Sequence, residues 1–429
     1  MAKYYKNIPF YIVFLASVLP WAAAAVDSKL LTYIPDVLAA FAYVLFIAQY
    51  PGRGFKIHPY FAVVLLLVGC HVIFGVLSGR GIGSAGLVSL FALTFVFSKL
   101  LDQGNTAQSA RDIVRQIGQI YIIHVVFILA ELLFRLAGHT DVLVAIAGHA
   151  TVVTKYKMYN SATLLSYLGV EDISGMNSLL LGSQSASQLV LLAAFCFAPL
   201  YRGGVLIRNG LSHWIWFILA VLLFPFVASM TAMAILAILV FFLIYVLPNS
   251  ILNRGIIWLV TPLLLIAFGG VLFPIFAFRM TQAAHVDIYM NAFMDAPIKF
   301  LDLPLLDQIM GFGRHIQESP IAAADFGLGM ITYQAGLFLV GLGLICLLMM
   351  IYAICIAIRR CNRTGFLKSP WAVIAGINIV CAIGWTVSLI HYTPAIELGG
   401  RHLFAMHLAV CLVALKRMAE IRSLASVGT

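Results

Sequence analysis

The sequence predicts an all-α protein, a polytopic transmembrane helical bundle of about twelve spans. Three observations predict it. Apolar runs of roughly 18 or more residues, enough to cross ~30 Å of hydrocarbon as helix, recur along the whole chain. Of the 429 residues, 63% are hydrophobic and only 10% charged, and the mean hydropathy is +1.03, far from the mixed surface of a soluble globule. No polar stretch is left over for a separate soluble domain, so residues 1–429 read as a single integral membrane domain.

The first run, near 9–26, opens behind Lys3 and Lys6 and ends in "AAAA". A secretory signal has the same outline. This run is long for a signal's apolar core, and a second, near 31–49, follows at once, so an uncleaved first helix is expected. Runs near 59–77 and 84–100 come next. The polar stretch "DQGNTAQSARDIVRQIGQ", 102–119, reads as an interfacial helix capped near Asn105 and Thr106, leading to a fifth span near 118–137. Further spans fall near 187–201, 214–229, 231–247, 256–277, 333–358, 371–390 and 402–415. Most connections are short, but two segments, 138–187 and 278–326, are long. They keep aromatics, Leu, Ile and Met at helix-like intervals, as in "RMTQAAHVDIYMNAFMDAPIKFL", which predicts short amphipathic helices lying against the bundle. No internal repeat is evident, which counts against an inverted-repeat transporter.

Threading the spans from a cytoplasmic N-terminus places most of the 26 Lys and Arg on one side, including Lys3, Lys6, Arg53, Lys56, Arg359, Arg360, Arg363, Lys416 and Arg417. By the positive-inside bias that side is the cytoplasm, both termini lie there, and the long loops are external. The net charge of +10 is therefore a topology signal. The basic residues are scattered over many loops and form no continuous face, so no nucleic-acid partner is expected. The seven cysteines fall inside spans or in cytoplasmic turns, and neither a disulfide nor a zinc site is expected.

Ionisable residues inside spans are few: Asp36, His71, His124, Glu131, Arg135 and His407. Each is a functional candidate by default, because a charge in hydrocarbon costs ~2.5 to 3.5 kcal/mol or more. Bland accounts stand beside that one. Glu131 and Arg135 are one helical turn apart and suit a local ion pair, and His71 and His124 suit neutral, hydrogen-bonded packing. Just outside successive spans, on one side, fall Arg279, Arg314, His315, Asp325, His391, Glu397 and Arg401. Arginine there fits phosphate recognition, since its planar fork holds oxygens bidentately and keeps its charge. A histidine beside it accepts a proton near neutral pH. The competing role for an external cation is anchoring to lipid headgroups, the role expected of Arg80 and Lys299. "GFGRH" gives Arg314 a glycine-flanked turn that brings backbone close to a ligand.

An arginine just after an outer helix end (Arg279), a helical segment, "PLLDQIMGFGRH", and the acidic turn "AADFG" running into "ITYQAGLFLVGLGLICLLMMIYAI" together resemble the large external loop and following helix of the O-antigen polymerase and O-antigen ligase superfamily. "GMNSLLLGSQSASQLVLLAAF" and "VASMTAMAILAILVFFLIY" resemble its middle segments, although Met230 stands where many relatives carry an arginine. The resemblance implies a GT-C-like membrane glycosyltransferase fold with two long periplasmic loops in a bacterial inner membrane. It implies transfer of a glycan from an undecaprenyl-diphosphate carrier to an acceptor hydroxyl, without metal or other cofactor. On it, Arg279, Arg314 and Arg401 bind the donor diphosphate, His391 takes the proton, and Asp325, Glu397 and His315 orient substrate. Implied partners are the undecaprenyl-diphosphate-linked oligosaccharide, membrane lipid, a polysaccharide chain-length regulator and a lipid-linked-oligosaccharide flippase.

Two alternatives stay open. A ligase would pass finished polymer to a lipid A core; His391 followed by Tyr392, where the ligase motif has a small polar residue, favours the polymerase. A secondary transporter would use Asp36, His71, His124 and Glu131 as a relay, but leaves the long loops unexplained.

Overall fold

The computed structural model describes residues 5–25, 29–54, 59–80, 85–102, 107–137, 298–312, 327–363, 370–389 and 398–427, together with Leu223. Every regular element among them is helical. In chain order these are α1 (Ile8–Ala25), α2 (Ile34–Gln49), α3 (Pro59–Leu77), α4 (Ala85–Leu101), α5 (Ala107–Leu136), the short α6 (Leu305–Met310), α7 (Gly327–Arg363), α8 (Pro370–Ser388) and α9 (Leu398–Val427). A 3-10 turn, Lys29–Tyr33, leads into α2, and a single helical turn, Pro51–Gly54, follows it.

Windows within α3, α5, α7, α8 and α9 are long and apolar enough to cross a membrane, and α1, α2 and α4 contain shorter apolar stretches. The chain is a membrane protein. Eight of the predicted spans fall on these helices; α5 starts 11 residues before the span predicted at 118–137, and α9 runs 12 residues past the one predicted at 402–415. The other four, near 187–201, 214–229, 231–247 and 256–277, lie outside the described residues save for Leu223, as does the loop 138–187.

Helix starts follow the local chemistry. Pro35 occupies the first turn of α2, where its missing N–H has no intrahelical partner to lose, and α3 and α8 open on Pro59 and Pro370 for the same reason. α3 ends in a Schellman cap. Gly79 takes φ 76°, the Arg80 N–H donates to Gly75 O at 2.9 Å, and the Gly79 N–H donates to Val76 O at 3.1 Å.

Burial separates a central pair of helices from the rim. In α8, 82% of the membrane-length window is buried, against 17% in α3 and 22% in α7. α9 is the hub: it packs most extensively on α4 and α8 and also meets α1 and α7. Every residue from His402 to His407 is buried, around the whole circumference of α9, as expected of a helix surrounded by others. Ala405, Ala409 and Ala414 on α9 and Ala372, Ala375 and Ala382 on α8 are also buried, and small residues let the two backbones approach closely.

The expected interfacial helix at 102–119 is corrected. α5 runs unbroken from Ala107 to Leu136. Gly118 is its one weak helix former in mid-course, a cost of ~1 kcal/mol that packing overrides, and no proline interrupts it. The polar residues that suggested a headgroup location face α1 and its preceding turn instead: Lys6 Nζ donates to Asp112 Oδ2 at 2.5 Å, and Gln116 Nε2 to Asn7 Oδ1 at 2.8 Å. At the same end Asp102 pairs with Lys416 and Arg417, and Arg417 also reaches Glu420 at 2.6 Å.

Candidate functional site at the Arg401 end

Polar side chains gather at the opposite end of the bundle. α9 opens with the buried glycines Gly399 and Gly400, which put Arg401 and His402 in its first turn. A cation there opposes the positive end of the helix dipole, so it needs an acid nearby. Asp36, in the first turn of α2, supplies it. Asp36 Oδ2 accepts from Arg401 Nη2, and Oδ1 accepts from Ser89 Oγ of α4 at 2.9 Å. His402 Nε2 lies 3.4 Å from Oδ1. The Arg401 and Asp36 side chains retain only 12% and 24% of their exposure. The Nε of Arg401 is buried and has no hydrogen-bond partner among the described residues.

Chemically this is a cation held by an acid where the N-terminal turns of α2, α4 and α9 meet. Aligned helix N-termini favour negative charge, and a partly buried guanidinium beside them suits a phosphate-like group. Among the described residues no three His, Cys, Asp or Glu side chains converge as metal ligands would.

The long loop's last described stretch docks at this same end. Residues 298–301 form a helical turn, Pro304 caps α6, and α6 ends at Gly311 with φ 74°. α7 is broken at Gly336, also at φ 74°. Beside the break the Phe312 N–H donates to the Tyr333 carbonyl at 2.7 Å. A Cβ on Gly311 would fall 2.5 Å from both Gln334 O and Gly336 N, and one on Gly336 2.6 Å from Gly311 N. Both positions therefore demand glycine twice over, by conformation and by space. Phe300 packs edge-on against the Tyr333 ring, centroids 5.0 Å apart, and Phe312 stacks on it at 6.3 Å.

One sequence expectation changes here. Arg80, expected as a headgroup anchor, is engaged within the protein: the Schellman cap of α3 delivers it to Asp307 at 2.5 Å, and its Nη1 also donates to Leu306 O and Gly311 O at 3.4 Å. Gly311, the first glycine of "GFGRH", brings backbone close to α7, while Gly313 and Arg314 lie outside the described residues.

Of the predicted site residues, Arg401 is placed and paired with Asp36. Arg279, Arg314, His315, Asp325, His391 and Glu397 lie outside the described residues, as does the pair Glu131 and Arg135 at the level of side chains. The described residues flanking three of these stretches do share an end. α8 and α9 are antiparallel, with His407 Nδ1 bonded to Asn378 and Cys411 Sγ to Ala375 O, so Leu389 and Leu398 lie together near Arg401. Phe312 is fixed on α7 beside Arg80.

Sequence reasoning missed the roles of Asp36, Ser89 and His402. The available signal was the position of Arg401 in the first turn of an apolar helix, which calls for a carboxylate in a neighbouring first turn. It also missed a hydrogen-bonded chain in the bundle centre. Asn378 Nδ2 donates to Ile374 O at 2.9 Å, which leaves Oδ1 as acceptor for His407 Nδ1–H at 2.8 Å. His407 Nε2 then accepts from Tyr121 Oη–H. The chain joins α5, α8 and α9 in one register. His71, by contrast, stacks on Phe338 of α7 with centroids 5.8 Å apart, and its Nδ1 has no hydrogen-bond partner. Its packing role is met, while among the described residues no partner meets its Nδ1.

Comparison of the chain with protein-family models, with curated proteins and with solved structures gives no match.

Proposed function

We propose that the protein polymerises undecaprenyl-diphosphate-linked oligosaccharide repeats into O-antigen or a related surface polysaccharide, at the periplasmic face of a bacterial inner membrane. The observation that carries this reading is the Asp36–Arg401–His402–Ser89 cluster. It is a partly buried cation at one end of a membrane bundle, four residues after Glu397 and ten after His391 in the sequence. The described ends that lead towards Arg314, His391 and Glu397 belong to that same bundle end.

The chemistry asks little of the protein. An acceptor hydroxyl attacks the anomeric carbon of the donor, the carbon–oxygen bond to diphosphate breaks, and the electron pair leaves on the diphosphate. Arg279, Arg314 and Arg401 hold that leaving group, and His391 receives the hydroxyl proton. Asp325, Glu397 and His315 orient the sugars. A single displacement inverts the anomeric configuration, and the arginines supply the charge that a divalent cation would otherwise bring. With this end periplasmic, the Lys6 and Arg417 end with both termini is cytoplasmic, in keeping with its basic residues. A chain-length regulator and a flippase for the lipid-linked repeat are the partners such an enzyme works beside.

The test is to give the purified protein a lipid-diphosphate-linked repeat. A ladder of products without lipid A core is the expected result. Transfer only when core is supplied would make it a ligase, and no transfer in either case would remove the glycosyltransferase reading. A secondary transporter is the second reading, favoured by the central Tyr121–His407–Asn378 chain, since transporters set polar groups at mid-helix. One member of its relay, Asp36, is instead engaged with Arg401 at the bundle end. Substrate-driven proton uptake into vesicles would establish it.

A further inference from the structure

The segment 298–312 is built inside out. On α6 the polar side chains turn inwards: Asp307 pairs with Arg80, and Gln308 Nε2 donates to Leu301 O and Leu303 O of the segment itself, both at 2.8 Å. Its aliphatic side chains turn away. Leu305 is 70% exposed, Leu301 67% and Ile298 57%, and Leu306 and Ile309 share the same outward side. On α6 the exposed positions 305, 306 and 309 fall on one helical face, while Asp307 and Gln308 fall on the other. A loop in water sorts its residues the other way, and a contiguous exposed apolar patch of this kind marks an interaction surface.

We propose that this segment is a membrane-inserted ledge whose Leu301–Leu305–Ile309 side lies in the bilayer at the boundary between headgroups and acyl chains. Continuity identifies the occupant as lipid. The ledge is clasped at Arg80, three residues beyond Leu77, and at Gly336, one residue before Leu337. Leu77, Val76, Phe74 and Ile73 of α3 and Leu337 and Phe338 of α7 are themselves exposed apolar side chains of helices long enough to span the membrane. The exposed apolar side chains of those two helices thus lead up to the points where the ledge is clasped. Interfacial helical elements of this kind sit about 5 to 10 Å into the headgroup and acyl boundary. The exposed Lys299 and Asp302 stand on the same short turn and mark its polar rim. The double-glycine contact with α7 fixes the ledge rigidly to a spanning helix, so its depth in the bilayer is set by the bundle. This inference stands whether or not the protein is a glycosyltransferase.

The test places a photoreactive benzophenone amino acid at Leu301, and separately at Leu305, in the full chain reconstituted into phosphatidylethanolamine and phosphatidylglycerol vesicles. Irradiation followed by mass spectrometry reads what each probe touches. Phospholipid adducts several-fold more abundant than peptide crosslinks at both positions are expected. Crosslinks to this chain or a second copy, or a probe that reacts with no lipid, would overturn the ledge. Ile298 serves as the third position should either variant fail to fold.

Discussion

The ion pair between Asp36 and Arg401 distinguishes a staple from a substrate-binding cation. An exposed ion pair is worth up to ~1 kcal/mol, whereas breaking a fully buried one costs ~3 to 5 kcal/mol. With side chains 12% and 24% exposed, this pair lies nearer the buried limit, and Asp36→Asn should destabilise the protein by roughly 2 to 4 kcal/mol. The reciprocal exchange, Asp36→Arg with Arg401→Asp, re-forms the pair. Its recovery is partial, because Ser89 Oγ and His402 would then face a cation instead of the carboxylate that one bonds and the other approaches at 3.4 Å. Unfolding in mixed micelles measures this directly. If Arg401 binds the donor diphosphate, turnover stays lost in the exchanged protein although stability returns in part, since the cation now projects from α2. Turnover that returns along with stability would show Arg401 to be a staple and would remove it from the donor site.

Four further outcomes are expected. His391→Ala abolishes polymer formation while the protein still inserts and folds, and near-normal polymer in that variant would exclude the histidine. Arg279→Lys and Arg314→Lys each lower turnover well below wild type because the bidentate fork is lost, and Ala lowers it further, to roughly a hundredth to a thousandth of wild type; full activity in both Lys variants would return these residues to headgroup anchoring. Gly336→Ala sets a Cβ 2.6 Å from Gly311 N in a backbone conformation (φ 74°, ψ 165°) that costs an L residue about 1 to 3 kcal/mol, so the ledge lifts and protease cuts within 298–312; unchanged protection would show that the clasp tolerates a side chain. Polymerisation survives EDTA, and a loss restored by magnesium or manganese would overturn the metal-free assignment.

The described spans were legible because each leaves a local trace. An apolar run is its own evidence for a buried or lipid-facing helix, and Pro35, Pro59 and Pro370 mark starts that the structure places within a few residues. The error at 102–119 came from the same locality. Asp112 and Gln116 read as headgroup-facing because their partners, Lys6 and Asn7, lie more than a hundred residues away in the chain. A polar residue on an apolar helix announces that it needs a partner, and gives no indication of which one.

That asymmetry governs the candidate site as well. Arg401 was legible as a membrane-surface cation because its residue type and its place at the start of an apolar run suffice. Its acid was not, since Asp36 precedes it by 365 positions and is brought to it only by the packing of α9 against α4 and α1 and of α2 against α4. The same holds for Gly311 and Gly336. Each glycine alone reads as a turn or a flexible joint, and only the approach of one backbone to the other turns both into a fixed contact. Residues whose function depends on their own chemistry can be found one at a time. Residues whose function is to hold another in place become visible only in pairs, so Asp36, Arg80 and the two glycines follow from the fold.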